Sequence, residues 1–287
     1  MPVVQNAVSL FEEMVAYEAL LAQKGETLKT ISRRLRSPGA TPSALAKTDH
    51  LSSFLREKVM EYLQTKRGFS VLFKGAFQYP EKLQDAEDPL AIIYAKGDLG
   101  LLESPSISIV GTRKASPEGR KRAIKLSREL VSANFTIVSG LAVGIDTEAL
   151  TAAIETGGRV IGVIGTPIDE YYPKENRELQ DRIARKHLLI SQVPFFRYKN
   201  EAFNTRRFYF PMRNVTMAAL SLGTVIVEAS DASGTLTQAR ACLRQGRKLF
   251  ILESCFKNSQ LAWPLNYEKR GAIRVRSTGD ILKHIST

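Results

Sequence analysis

The sequence predicts an α/β fold: a doubly wound, mostly parallel sheet preceded by a small N-terminal helical module. From about residue 106, short runs of Val, Ile and Leu alternate with amphipathic segments of helical length, which is typical of parallel strands covered on both faces. The first 66 residues hold no convincing strand, and their apolar residues recur at helical spacing. We therefore predict a small helical module at 1–66, a connecting segment at 67–105 and an extended Rossmann-like core at 106–287.

The helical module is predicted from its apolar spacing and its stop signals. Five apolar residues recur at helical spacing: Val8, Phe11, Met14, Val15 and Leu20. The basic run 33–39, which ends in Pro-Gly, is expected to end a helix, Ser43 to cap the next one, and 51–63 to form another. Up to Arg67 the chain has ten basic and seven acidic residues, so about +9 of the net charge of +12 lies in the remainder.

The connecting segment and the core supply the strands. The connecting segment holds two proline turns, Tyr79-Pro80 and Asp88-Pro89, and a short apolar strand at 91–94. Core strands are predicted at 107–110, 135–139, 160–165, 188–191, 224–229 and 248–252. Helices are predicted between them at 117–133, 146–155, 175–185, 213–220 and 235–244. Because ligands of doubly wound sheets bind at the carboxyl ends of the strands, the turns there are the candidate sites.

The composition indicates a polyanionic partner. A net charge of +12 and a pI near 9.7 favour nucleic acid, although spare solvated lysines would give the same balance. The two cysteines and three scattered histidines form neither a disulfide framework nor a metal-ligand pattern, so no metal or cofactor is expected. Neither a signal peptide nor an apolar run of bilayer length is recognisable, which predicts a cytoplasmic protein without a membrane partner.

The turn after the first core strand, Gly111-Thr112-Arg113-Lys114-Ala115-Ser116, carries two cations where a dinucleotide-binding turn would carry glycines. Ser116 is a good helix N-cap, and Pro117 suits the first helical position. The free N–H groups of that helix make an anion site, with two cations beside it. We expect a nucleic-acid phosphate there, the alternative being an ordinary capped turn with solvated cations.

Four further turns offer similar chemistry. In the second turn, Ser139 and Gly140 end a strand and Asp146 can cap the next helix, which is a commoner role for such an aspartate than catalysis. Lys174 lies at a helix start in the third turn. In the last turn, phosphate could bind to the N–H groups and hydroxyls of Ser233, Gly234 and Thr235.

The remaining turn, 204–214, interleaves aromatic rings with Arg206 and Arg207 and leads into Arg213 and Asn214. This composition is typical of a platform for single-stranded nucleic acid, unless the rings pack into the core. The segment 206–248 carries seven basic residues and two acidic ones. Neither a Walker lysine motif nor a nucleophile elbow is recognisable, and Glu228 or Asp146 would be a catalytic acid without a visible partner. We therefore predict no catalytic residue.

Taken in order, the five turns resemble the motifs of the DNA-processing protein A family (DprA, also called Smf). The stretches that carry the resemblance are SIVGTRKASPEG, SGLAVGID, GTPIDEYYPKEN, FPMRN and VEASDASGTLTQA, and the similarity runs from about Tyr79 to the end. The resemblance implies a domain that binds single-stranded DNA, forms a homodimer and loads a RecA-type recombinase during natural transformation. It carries the family's phosphate contacts over to these positions: Gly111, Arg113, Ser139, Gly140, Lys174, Arg213, Asn214, Ser233 and Gly234.

Three residues of the core depart from the family pattern. Members usually have a basic residue where this chain has Val143, a histidine where it has Leu150 and a glutamate where it has Gln192. Many members also have a C-terminal winged-helix-like domain, which is not expected here. Two alternatives stay open: a Rossmann-type enzyme or sensor that binds or cleaves nucleotides with Glu228 as its acid, and a scaffold that docks a partner on the helical module. Deletion of the module is expected to leave DNA affinity nearly intact.

Overall fold

A computed structural model describes residues 9–37, 39–74, 79–84, 86 and 90–285. The strands within these residues are β1 (Ser70–Phe73), β2 (Ile92–Gly97), β3 (Ser106–Val110), β4 (Thr136–Ser139), β5 (Val160–Ile164), β6 (Leu188–Ser191), β7 (Gly223–Ile226), β8 (Lys248–Leu252) and β9 (Ile273–Val275). They form one sheet in the order β1-β2-β6-β5-β4-β3-β7-β8-β9.

Four helices precede the sheet: α1 (Leu10–Ala22), α2 (Leu28–Arg34), α3 (Pro42–Thr48) and α4 (Ser53–Gln64). The others are α5 (Glu81–Gln84), α6 (Pro117–Ser132), α7 (Ile145–Glu155), α8 (Arg177–Lys186), α9 (Phe195–Asn200), α10 (Phe203–Arg206), α11 (Tyr209–Leu220), α12 (Thr235–Arg244), α13 (Glu253–Phe256), α14 (Trp263–Glu268) and α15 (Thr278–Ile285). Two 3-10 turns, Leu99–Glu103 and Lys174–Asn176, complete the described elements.

The sheet is doubly wound, as predicted. All neighbours from β6 to β9 are parallel, whereas β2 pairs antiparallel with β6, and β1 pairs antiparallel with β2. The chain runs outward from β3 through β4 and β5 to β6, and then returns to the other side of β3 as β7. The strand order therefore reverses between β3 and β7, and this is the switch point at which such folds bind ligands.

The two faces of the sheet carry separate apolar clusters because successive residues of a strand point to opposite sides. Ile107 and Ile109 belong to the cluster that includes α1, α6 and α7, while Val110 belongs to the cluster under α11, α12 and α14. Every residue of β3, β4 and β5 is buried, which matches their continuous apolar sequences. Ser108 is accommodated in this interior because its hydroxyl hydrogen-bonds the Ser221 hydroxyl at 2.7 Å.

The N-terminal helices join the same core rather than standing apart. Residues 13–21 of α1 are buried, and Glu18 is fully enclosed among them. Its carboxylate accepts hydrogen bonds from the Tyr94 hydroxyl (2.5 Å) and from the backbone N–H groups of Phe195 (2.8 Å) and Phe196 (3.0 Å). Burial raises the pKa of Glu18 to about 7, although these hydrogen bonds and the charge of Lys66 oppose the rise. Removal of the N-terminal helices would therefore expose α9 and part of the sheet.

Several local predictions need correction. The predicted cap Ser43 lies inside α3, where its hydroxyl and N–H donate to Glu13, and Thr41 caps the helix instead. The sequence prediction omitted β1 within the connecting segment and β9 near the C-terminus. The helix expected from 213 begins at Tyr209, and the expected strand 224–229 ends at Ile226.

A few predicted residues lie in segments that the structure does not describe, and three further predictions concern the cysteines, a membrane span and α11. Val8, Pro38 and the turn Asp88-Pro89 lie outside the described residues. Cys242 and Cys255 are free and buried. None of the helices in the described ranges is both long and apolar enough to cross a bilayer. The apolar residues Met217 to Leu220 are buried in the core, so α11 does not offer them to a partner.

Candidate nucleic-acid interface

The turns that follow β3 and β7 meet at the switch point. The Thr112 N–H donates to the Glu228 carbonyl at 2.7 Å, and the Thr235 hydroxyl donates to the Gly111 carbonyl at 3.2 Å. A Cβ on Gly111 would lie 2.6 Å from Ile145 Cγ1 and 2.8 Å from the Glu228 carbonyl oxygen. Glycine is therefore required here because two backbones and a helix approach one another closely.

The start of α6 is capped as predicted. The Ser116 hydroxyl accepts from the Gly119 N–H at 2.9 Å and donates to a carboxylate oxygen of Glu228 at 2.7 Å. The Ser116 N–H lies 3.2 Å from the other oxygen of that carboxylate. A Cβ on Gly119 would lie 2.0 Å from the Glu228 carboxylate, so this junction is tightly packed. Glu228 therefore fixes α6 against β7, and its oxygens are engaged in that role.

The turn after β4 differs from its prediction in two residues. Ser139 is fully buried, and its hydroxyl donates to the Ile109 carbonyl at 2.7 Å, which ties β4 to β3 behind the site. Asp146 does not cap α7, which begins at Ile145 after Gly144 at φ +85°. The Asp146 carboxylate instead accepts from the Gly140 N–H at 3.2 Å.

Arg213 lies on the other side of Gly140. Its side chain is buried, and one guanidinium nitrogen donates to the carbonyls of Gly140 and, at 2.8 Å, of Val163. Burial lowers the pKa of Arg213 to about 10, with Asp146 opposing this shift and Arg113 adding to it. Burial likewise raises the pKa of Asp146, and the charge of Arg213 opposes that rise. Arg213 therefore holds the β4 turn in place while it carries positive charge into the interior.

Two cavities that share residues open at this edge of the sheet, and we call them together the crevice. The first, of about 520 Å³, is lined by aromatic rings and cations: Tyr171, Tyr172, Phe203, Phe210, Arg113, Lys174 and Arg213. The second, of about 300 Å³, lies between the β3 and β7 turns and shares Arg113, Phe210 and Arg213 with the first. Rings and cations therefore face one space although they come from separate turns.

Two of the four crevice rings are exposed to solvent, and the rings lie close to the cations. Phe203 is 83% exposed and Tyr172 is 43% exposed. The Tyr172 ring centroid lies 5.1 Å from that of Phe210, with the planes inclined by 49°. The guanidinium carbon of Arg113 lies 5.7 Å from the Phe210 centroid. Such an arrangement can stack planar groups and pair with anions at the same place.

Ten predicted site residues line the crevice: Gly111, Thr112, Arg113, Gly140, Lys174, Arg213, Asn214, Ser233, Gly234 and Thr235. The Asn214 side chain donates to the Gly234 carbonyl at 3.0 Å, and the Ser233 hydroxyl accepts from the Thr235 N–H at 3.2 Å, so these residues also shape the β7 turn. Their role in binding stays a prediction.

Five predicted residues lie elsewhere. Ser139 is behind the crevice, and Lys114 and Ser116 line a neighbouring cavity beside α6. Arg206 donates to the Lys199 carbonyl at 3.2 Å, and the Arg207 guanidinium carbon lies 5.4 Å from the Phe208 centroid. Neither arginine lines the crevice.

Three crevice rings, Tyr171, Tyr172 and Phe203, were absent from the sequence prediction. Tyr171 and Tyr172 precede Lys174 in its turn, and Phe203 begins α10, just outside the aromatic segment that the sequence singled out. The signal available was an aromatic residue close to a helix start at the carboxyl end of a strand. Of the three departures from the family pattern, only Val143 faces the crevice, because Leu150 and Gln192 are buried. Within the described ranges, no cluster of His, Cys, Asp and Glu side chains could hold a metal ion.

Comparison with known proteins identifies relatives of this chain. A family model described as DNA recombination-mediator protein A matches residues 70–286. DNA processing protein DprA of Bacillus subtilis is 34% identical over 221 residues, which is 77% of this chain and 72% of the relative. DprA of Streptococcus pneumoniae is 35% identical over 71% of this chain and 70% of its own. The match to protein Smf of Synechocystis, at 35% identity, spans 51% of that protein.

Solved structures show the same similarity. The X-ray structure of DprA from Streptococcus pneumoniae superposes with a TM-score of 0.75 at 26% identity, and the match covers 96% of this chain and 98% of that one. A structure of DNA processing protein A from Helicobacter pylori, reported for its single-stranded DNA binding mode, has a TM-score of 0.64 at 27% identity. That match covers 76% of this chain and 95% of the other.

Proposed function

This chain belongs to the DNA recombination-mediator protein A family, and on that basis we propose that it binds single-stranded DNA in the crevice. The observation that carries the proposal is the meeting of four aromatic rings and three cations in one cavity. Rings stack on the faces of bases, and cations pair with phosphates. A relative that matches most of this fold was reported for its single-stranded DNA binding mode.

The crevice favours a single strand over a duplex. The exposed rings of Phe203 and Tyr172 need base faces to stack on, and the bases of a duplex already stack on one another. Arg113 and Lys174 are exposed cations that can pair with phosphates whatever the sequence. Binding should therefore depend steeply on salt and only weakly on base identity.

The proposed role is that of a mediator and not of an enzyme. Glu228 is engaged by Ser116, and Asp146 is buried against Gly140 near Arg213, so neither carboxylate is free to move a proton for a ligand. We propose that the protein protects single-stranded DNA in the cytoplasm, acts as a homodimer and helps load a RecA-type recombinase. The description of the family as a DNA recombination mediator supports a role in recombination. Adding it to such a recombinase should shorten the lag before filaments form on single-stranded DNA.

Fluorescence anisotropy with a labelled oligonucleotide tests the binding proposal. Arg113→Ala and Lys174→Ala should each weaken binding. Each should also make the plot of log affinity against log salt less steep by about 0.7, the contribution of one lost phosphate contact. Matched controls are Arg159→Ala and Lys186→Ala, because both residues are exposed at the opposite edge of the sheet. Salt-insensitive binding, or equal losses in crevice and control variants, would contradict the proposal.

A further inference from the structure

A second pair of cavities continues from the crevice along α6, and we call them together the α6 groove. One, of about 520 Å³, lies at the ends of β7 and β8 and is lined by Lys114 and Arg122. The other, of about 320 Å³, lies between α6 and the ends of β8 and β9, and its cations are Arg122, Lys125, Lys257 and Arg276. Arg122 and Ser254 line both cavities, so the groove is continuous.

The α6 groove meets the crevice at the switch point. Thr112 and Ser230 line both the crevice and the first cavity of the groove. One path therefore crosses the carboxyl edge of the sheet from β5, through β4, β3, β7 and β8, to β9. Five steps between neighbouring strands, at about 4.8 Å each, give this path a length of roughly 24 Å.

Some charged side chains of the groove have partners within the protein and others do not. Lys114, Arg122 and Lys257 form no ion pair with any residue that the structure describes. The carboxylates beside them are engaged: Glu228 by Ser116, Glu253 by Arg276 at 3.0 Å, and Glu129 by the Thr278 hydroxyl at 2.5 Å. Five cations against three carboxylates leave the groove an excess of two positive charges, and hence a positive potential.

One further feature distinguishes this groove from the crevice. No aromatic side chain lines it among the described residues, so it offers no surface on which bases can stack. Cations without rings match phosphate groups rather than bases.

We propose that the α6 groove binds the phosphates of the nucleotides that leave the crevice, so that the footprint on single-stranded DNA extends to β9. This inference rests on the proposed function. The crevice spans three strand steps, roughly 14 Å, or about four nucleotides at 3.4 Å each. The complete path of roughly 24 Å holds about seven stacked nucleotides, and fewer if the strand is extended. Affinity should therefore rise again with oligonucleotide length once the strand reaches the groove.

Anisotropy with two oligothymidylate lengths, about 5 and about 15 nucleotides, separates the two regions. Arg122→Ala/Lys257→Ala should weaken binding of the long strand about tenfold and lower its salt slope by about 1.4, the sum of two phosphate contacts. The short strand should lose less than about twofold, because it is held by the crevice. Arg113→Ala should weaken both lengths. The controls are again Arg159→Ala and Lys186→Ala, and urea unfolding confirms that the exposed substitutions leave the fold intact.

The outcomes distinguish this inference from the proposed function. If the wild-type protein binds neither length, the proposed function fails. If it binds both and the groove variant keeps wild-type affinity for the long strand, only the extended footprint is overturned. A labelled oligoglutamate peptide serves as the alternative probe: if the variant loses that peptide while it keeps the long strand, the groove belongs to an acidic protein segment and the proposal is wrong.

Discussion

Replacement of Arg213 by alanine tests whether this side chain supports the turn after β4 as well as supplying positive charge to the crevice. Its guanidinium donates to the carbonyls of Gly140 and Val163 and faces the buried Asp146. A Cβ on Gly140 would lie 1.9 Å from the guanidinium and 2.8 Å from the Asp146 carboxylate, so the three groups pack without spare space. Removing the guanidinium leaves two buried carbonyls without their donor and takes away the positive charge near Asp146, which together cost about 3–5 kcal/mol.

This loss is a large share of the 5–15 kcal/mol, roughly, by which a domain is stable. Urea unfolding followed by circular dichroism should show the loss in Arg213→Ala. In an Asp146→Asn background the same replacement should cost at least about 1 kcal/mol less, because no charge is left unpaired. Anisotropy should show weakened DNA binding in Arg213→Ala, because the turn after β4 loses its anchor.

The reasoning would be refuted by a variant that unfolds at the wild-type urea concentration. If Arg213→Ala were as stable as the wild type and lost DNA affinity only as Arg113→Ala does, Arg213 would be a phosphate contact and not a support of the turn. An equal loss of stability with and without Asp146→Asn would likewise show that the two charges do not interact.

Three other predictions follow from single contacts. Because the pKa of Glu18 is raised from 4.5 to about 7, the folded protein keeps a proton that the unfolded chain releases, and the free energy of unfolding should fall by about 3 kcal/mol as pH rises through that range. Glu18→Gln should remove this pH dependence in urea titrations, and an unchanged dependence of the unfolding free energy on pH would count against the prediction. Phe203→Ala should leave stability unchanged but cost about 1–3 kcal/mol of single-strand binding, whereas Phe54→Ala, at a ring 63% exposed on α4, should cost none. Glu228→Gln should lower the free energy of unfolding by about 1–3 kcal/mol, because an amide cannot accept both bonds from Ser116, and should leave the salt slope of binding unchanged.

The sequence predicted those features that depend on neighbours in the chain. The Ser116 cap and the start of α6 at Pro117 were correct because a cap is decided within one helical turn. The core strands were recognisable because each is a continuous buried run. β1 and β9 were not predicted because each has only three or four residues, some of them exposed. Neither a period of two nor a continuous apolar run identifies them as strands.

Features that depend on residues far apart in the chain could not be predicted from the sequence. Ser139 and Asp146 belong to sequence types that cap or contact ligands, yet their partners are the Ile109 carbonyl and the Gly140 N–H inside the fold. The insertion of β7 beside β3 decides which turns meet, and no local pattern encodes that order. For the same reason the sequence placed Arg206 with the site, although it packs on Tyr198 instead.

Photo-crosslinking tests most directly whether the crevice holds the bases of a single strand. An oligonucleotide with 5-iodouracil at successive positions is irradiated on the intact protein, and the modified peptides are identified by mass spectrometry. The account predicts adducts at the crevice rings Tyr172, Phe203 or Phe210. Adducts at the exposed Phe54 of α4, with none in the crevice, would contradict it.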